Sequence, residues 1–243
     1  MSHKYHISPD VYARACFYHW VFLDLSRDRY SCIRRKDFEQ LAPWITLDDA
    51  SAAAAPQESD ANPLLPPPGH IEKELSSLVE RGLVTRAISL RGIRPGRRVE
   101  PPTEAVIAPP GTSSTILWKM RLLSFCACAA RADYLLRHRS LAMIVKRIRA
   151  RVDRRGPVPF DLDRARTHIA VFNRFRWLYP RDYLCLFDSL ALLELLATDR
   201  LHPTWVFAVT TDPFQAHCWL QHGTTVLNDT LDRVADYLPI MAV

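Results

Sequence analysis

Three residues in the last third of the chain have types suited to nucleophilic acyl transfer: Cys185, His217 and Asp229. A thiol beside an imidazole can attack a carbonyl as the thiolate, while the imidazole takes and returns the proton. A carboxylate behind the imidazole holds its tautomer and orientation. Asp212, Asp232, His222 and Cys218 are decoys of the same types. Cys218 is the nearest of them, but strand alternation turns it away from the face of His217. The three residues would serve equally well as a core thiol, a hydrogen-bonded histidine and a turn cap. Spacing alone leaves both readings open.

What each residue can do depends on the element that carries it. Residues 184–197 are apolar on nearly every face and read as a buried helix, approached through Pro180-Arg-Asp182. Cys185 then lies in the first turn, where unpaired N–H groups and the positive end of the helix dipole favour a thiolate. Its own N–H could form part of an oxyanion hole. Residues 205–210 are a continuous apolar run suited to a central strand, and 214–221 with 225–229 read as a hairpin around His222-Gly223. An odd-numbered loop centred on Gly223 makes His217 and Asp229 cross-strand neighbours on one face. A two-residue loop would put them on opposite faces. Three-residue loops with a left-handed glycine permit the first case.

The composition sets the frame around these elements. The chain has 243 residues, 48% hydrophobic and 24% charged, with Lys+Arg 32 against Asp+Glu 26. Those values exclude wholesale disorder and collagen-like structure and fit one large domain or two small ones. The most apolar stretch, 184–197, is interrupted by Asp188 and Glu194 and is shorter than the roughly 20 residues of a membrane span. The first six residues begin no apolar signal region, so the expected compartment is the cytoplasm. Six cysteines are too sparse for a disulfide framework, and Cys126-Ala-Cys128 has the wrong gap for a zinc knuckle. No metal or bound cofactor is expected.

Ten of the 18 prolines fall in two windows, 56–68 and 95–110. The first lies in an Ala/Pro-rich loop over 45–70. The second reads as a linker over 91–115, dividing a domain at 1–90 from one at 116–243. In the first domain, 16–25 and 29–33 form a hairpin pattern around Ser26-Arg-Asp28, and 36–41 is a short helix. Ile71, Leu75, Leu78 and Val79 make one helical stripe, with Gly82 just past the helix end and Leu83-Val-Thr85 as a last strand. A small sheet with a closing helix is winged-helix-like, a module that binds a peptide or nucleic acid or caps its neighbour. The second domain opens with a helical stretch from 116 to about 151. Nine Lys/Arg and two Asp between 131 and 155 exceed the whole net charge of +6. That run reads as a solvated face or a docking surface for an acidic partner. Without interleaved aromatics it does not suggest nucleic acid.

At its chemistry-bearing residues the chain resembles a known family. The pattern Cys185-Leu, Ser189-Leu-Ala-Leu, then Val209-Thr-Thr-Asp-Pro-Phe-Gln-Ala-His-Cys-Trp-Leu220, then Val226-Leu-Asn-Asp229 resembles the lasso-peptide maturation protease, the B protein of those gene clusters. The resemblance implies an α+β chain. Its C-terminal part would be a papain- or transglutaminase-like cysteine peptidase, a helix bundle against an antiparallel sheet, with Cys185 as nucleophile, His217 as base and Asp229 as orienting acid. Residues 10–33 and 71–85 resemble the fused leader-recognition element, a winged helix with a three-stranded sheet. By that resemblance a precursor's leader pairs with an edge strand at Tyr30, Ser31, Cys32 and Ile33, beside the helix that contains Leu75. The freed core peptide then passes to an asparagine-synthetase-like macrolactam cyclase, which uses ATP. Neither nucleic acid nor membrane is an expected partner. The alternatives are an acyltransferase of transglutaminase type with the same triad, and a non-enzymatic basic winged-helix binding protein.

Overall fold

The computed structural model describes residues 5–47, 66–86, 99–106, 115–155, 159–180 and 184–243. They form a mixed α/β chain that divides into two compact units. One is Met1–Arg98 with Val209–Gln215 and Leu238–Met241; the other is Val99–Ala208 with Ala216–Tyr237 and Ala242–Val243.

The first unit contains two three-stranded sheets. β1 (Tyr5–Ile7) lies between β5 (Ile45–Thr46), parallel to it, and β6 (Val84–Thr85), antiparallel. β2 (Val11–Ala15), β3 (His19–Asp24) and β4 (Arg29–Arg34) make an antiparallel meander with β4 at its edge. Helices α1 (Arg35–Leu41) and α2 (Gly69–Glu80) close the core. The hairpin expected at 16–33 is present. Its turn is organised by buried Asp24, whose carboxylate accepts from the Ser26 N–H at 2.9 Å and the Ser26 hydroxyl at 2.6 Å. Gly82 has φ +74°, and a Cβ there would meet the Arg27 guanidinium at 2.3 Å, where Arg27 Nη1 donates to the Arg81 carbonyl. The left-handed backbone conformation favours glycine, and a larger residue would also displace the Arg27 guanidinium.

One expectation for this unit is overturned. Leu75, expected beside the bound leader, is 0% exposed and packs in the core with Trp20, Phe22, Phe38, Ile71 and Leu78. The stripe that identifies α2 as a helix is the same stripe that buries it, so Leu75 presents no surface to a peptide. The structure has two small sheets where one three-stranded sheet was expected, because residues 5–7, 45–46 and 84–85 pair among themselves. Most of the 45–70 loop, residues 48–65, lies outside the described residues.

The second unit carries the helices. The single stretch expected from 116 to 151 is two helices, α3 (Thr115–His138) and α4 (Leu141–Arg155), parted at Arg139-Ser140. Ser140 caps the second, its hydroxyl accepting from the Met143 N–H at 3.4 Å and its carbonyl from the Ile144 N–H at 3.2 Å. α5 (Leu162–Phe175) is a further helix, capped by Asp161, whose carboxylate accepts from the N–H groups of Asp163 and Arg164. α6 (Cys185–Thr198) packs against α3 and α5, with Leu190, Leu192, Leu193, Leu195 and Leu196 all buried. Its one buried acid, Glu194, is held by Arg131 Nε and Arg151 Nη1, each at 3.0 Å. Part of the basic run is therefore spent on an interior carboxylate.

The C-terminal sheet runs in the order β11 (Leu238–Ala242), β8 (Thr204–Thr211), β9 (Phe214–His222), β10 (Thr225–Val226), β7 (Glu104–Ala105). β7 falls in the segment expected as linker. It pairs in parallel with β10, and Gln221 Nε2 donates to the Glu100 carbonyl at 2.7 Å. Val99 and Ala105 pack with Val206, Trp219 and Val226. Described residues 99–106 are thus attached to the sheet, with Glu104–Ala105 as its edge strand, whereas 91–98 and 107–114 lie outside the described residues. No described helix is long and apolar enough to cross a membrane.

The core position of Leu75 sets a test. Leu75→Ala should lower unfolding free energy by about 2–5 kcal/mol, the usual cost of a buried leucine cavity. Chemical denaturation followed by circular dichroism reads it, and a change under about 0.5 kcal/mol would place the side chain at the surface instead.

Candidate active site

α6 begins at the candidate nucleophile. Leu184 is extended (φ −115°, ψ 125°) and makes no side-chain cap, so Cys185 is the first helical residue. Its N–H is among the first-turn amides that have no acceptor within a helix. Arg181 and Asp182, expected to lead into the helix, lie outside the described residues. Asp188, one turn on, pairs with the buried Arg176 guanidinium, which also lies 5.0 Å over the Phe187 ring. Burial, opposed by that guanidinium, pushes the Asp188 carboxyl upward.

Ser189 joins this turn to the sheet. Its hydroxyl donates to the Cys185 carbonyl at 2.6 Å and accepts from the Trp205 indole N–H at 2.9 Å. It also lies 3.4 Å from Cys218 Sγ. A fully buried serine in a largely apolar helix thus connects α6 to β8 and β9. Its polarity at that position was the available signal of a special role, and Trp205 gave none beyond its apolar strand.

His217 lies on β9, buried, with its ring near Trp219 and Tyr237. Its Nε2 is hydrogen-bonded to Asp229 Oδ2. Nδ1 is therefore the nitrogen left for the hydrogen bond with the Cys185 thiol. Asp229 Oδ1 accepts the Thr230 N–H at 2.9 Å, at the start of helix α7 (Leu231–Ala235).

The hairpin loop is not the odd-numbered one that would make His217 and Asp229 cross-strand neighbours, yet the two meet. The register pairs Thr225 with His222 and Val226 with Gln221, so Gly223-Thr224 is a two-residue loop. Continued regularly, that register puts His217 and Asp229 on opposite faces. The strand does not continue. After the Leu227 N–H bonds the Leu220 carbonyl, Asn228 takes the next strand amide with its side chain, Oδ1 accepting the Leu220 N–H at 2.7 Å. The chain then bends away, and Asp229 reaches His217 from outside the ladder.

Cys218, expected to turn away from the site, acts on Cys185. It does project from the other face of β9, but that face receives the start of α6. Its side chain hydrogen-bonds Cys185, as does its backbone N–H. The hydrogen bond from the Cys218 side chain is the largest influence on Cys185. It outweighs burial and is joined by the hydrogen bond and positive charge of His217, lowering the thiol to about 4. Burial alone would lower His217, but its hydrogen bonds and charge attraction to Asp229 and Cys185 raise it to about 9. Asp229 is held below the ordinary carboxylate range: burial is overcome by the bonds from His217 and the Thr230 N–H. Burial, with the neighbouring thiolate, pushes Cys218 well above the ordinary thiol value, so it stays a donor. Together these shifts make Cys185 an anion beside an imidazolium at neutral pH.

Of the other sequence-derived site residues, Tyr30, Ser31, Cys32 and Ile33 lie on β4, which pairs only with β3 among the described strands. Cys32 is exposed and the other three are half-buried. Among the described residues no group of three His, Cys, Asp or Glu could hold a metal ion.

A family model described as Transglutaminase-like superfamily matches residues 128–242, a span that contains Cys185, His217 and Asp229. No curated protein and no solved structure matches the chain. The C-terminal half therefore carries a transglutaminase-like domain, consistent with a cysteine peptidase or acyltransferase.

The ion pair predicts a pH window. A lowered thiol ionises above its folded value and a raised histidine stays protonated below its own, so the pair spans about pH 4 to about 9. Iodoacetamide labelling of Cys185, followed by peptide mass, should rise through about pH 4. Cys218→Ala removes a donor to the thiolate and should move that rise to higher pH with the fold intact. An unchanged profile would show that Cys218 does not stabilise the anion.

Proposed function

We propose that this chain is a leader peptidase of lasso-peptide biosynthesis: it binds a ribosomal precursor through its leader and hydrolyses the leader–core amide bond. The observation that carries the reading is the Cys185 thiolate at the start of α6, with His217 and Asp229 hydrogen-bonded behind it. The sequence pattern around those three residues, which resembles the maturation protease, supplies the substrate class.

The mechanism follows from the protonation states. The thiolate of Cys185 attacks the scissile carbonyl, forming the carbon–sulfur bond and placing negative charge on the oxygen. The Cys185 N–H, unused by the helix, is a donor for that oxyanion. The His217 imidazolium, oriented by Asp229 through Nε2, delivers its proton to the leaving amine as the carbon–nitrogen bond breaks. The core peptide leaves with a new amino terminus, and the leader remains as a thioester. Neutral His217 then takes a proton from water, whose attack releases the leader carboxylate and restores the thiolate.

In this reading the leader adds as a further strand to β4, along Tyr30, Ser31, Cys32 and Ile33, where main-chain bonds give affinity and side-chain pockets give selectivity. The freed amine is the substrate of an asparagine-synthetase-like cyclase, which consumes ATP.

Mass spectrometry of the cognate precursor, incubated with this protein, the cyclase and ATP, tests the assignment. Free leader heavier by one water is expected with the wild type and none with Cys185→Ala. Asp229→Asn should lower the rate by roughly 10²-fold or more while leaving the fold intact. A leader product carrying a new amide instead of water would make the protein an acyltransferase. Normal maturation by Cys185→Ala would sink the enzymatic reading and leave a binding protein.

A further inference from the structure

Helix α3 is apolar on two sides. One side is bundle core: Phe125, Cys128, Ala129, Ala132 and Leu135 are buried, and Phe125 meets Phe172 with ring centroids 5.8 Å apart. The opposite side faces water but does not turn polar. Met120 is 67% exposed, Leu123 71% and Tyr134 54%, and Ala127 and Ala130 between them are exposed as well. These five residues are spaced alternately three and four apart. That alternation is how one helix presents a seam to another, and a merely solvated face has no need of it. From Met120 to Tyr134 the seam runs about 21 Å, at ~1.5 Å per residue. The two alanines at its middle allow a second helix axis to approach to about 8 Å, the close end of the usual range.

Charge decides which helix fits. Exposed Lys119 and Arg131 border the seam, the latter still half-exposed while it holds Glu194, and exposed Arg137 continues it. Between residues 119 and 140 Asp133 is the one acid, and Arg137 Nε holds it at 2.9 Å. A second copy of this chain would set cations against cations whether it packed parallel or antiparallel. A lipid surface fits poorly too. Interfacial helices bury a broad apolar face, whereas this seam is narrow, has alanine at its centre and backs onto a packed bundle. We propose that the seam through Met120, Leu123, Ala127, Ala130 and Tyr134 is a docking surface for an amphipathic helix of another protein. That helix carries apolar side chains at the same alternating spacing and acidic residues along their borders.

Fluorescence anisotropy with the full chain and two labelled synthetic helices tests this. Both peptides carry leucine at seam spacing; one is bordered by glutamate, the other by lysine. The glutamate-bordered peptide should bind saturably and the other at least 10-fold more weakly. Leu123→Glu should weaken the first at least 10-fold. Ala127→Arg should do the same, because its bulk blocks the seam although its charge is favourable. Both sites are exposed, so circular dichroism and the Cys185 labelling rate should stay as in the wild type. That separates this surface from the proposed peptidase site, whose failure would change the labelling instead. Undiminished affinity in Ala127→Arg, equal binding of the two peptides, or no saturation below about 100 μM would each overturn the proposal. So would wild-type dimerisation, or sedimentation with phosphatidylserine vesicles, if Leu123→Glu abolished it.

Discussion

A half-buried sulfur anion persists only if hydrogen-bond donors and positive charge replace the water it has lost, and that requirement organises the residues around Cys185. Cys185 obtains them from two directions. The side chain and backbone N–H of Cys218 approach from β9, while the imidazolium of His217 approaches beside them. Two successive residues of one strand normally face opposite ways. Both nevertheless act on Cys185, and the short β10, ending at Val226, does not extend along that part of β9.

Holding that arrangement is the task of the apolar helix and its few polar contacts. Ser189 links the first turn of α6 to Trp205 on β8 and lies against Cys218. The Arg176–Asp188 pair attaches the turn to the segment before it. Further along, Glu194 is neutralised by Arg131 and Arg151, so a carboxylate buried among leucines joins three helices. A buried carboxylate without partners would be costly, and removing either arginine would leave part of that cost uncompensated. The leucines supply the burial, and the polar groups fix rotation and depth.

Several of these features were legible in the sequence for local reasons. The all-round apolarity of 184–197, the run at 205–210 and the stripe of Ile71, Leu75 and Leu78 are set by short-range periodicity, and the corresponding elements form. Periodicity misled where its meaning was not local. The stripe in α2 located a helix but could not say that Leu75 faces the core and not a ligand. The continuous helical pattern of 116–151 concealed a break at Ser140, because flanking helix formers outweigh one capping residue in any windowed reading. The segment taken as linker contains β7, since a two-residue strand with prolines before it has no periodicity to detect.

The candidate active site divides along the same line. By itself the sequence determined that a cysteine opens an apolar helix, that a histidine sits on a strand and that an aspartate follows a turn, because each depends on a few neighbouring residues. Only the tertiary structure decided how they meet. The two-residue loop sets a register that separates His217 from Asp229, and the bend after Leu227 brings them together again. Cys218, set aside by strand alternation, becomes the principal donor to Cys185 because α6 packs on its face. Register and packing depend on groups far apart along the chain, and no local pattern carries them.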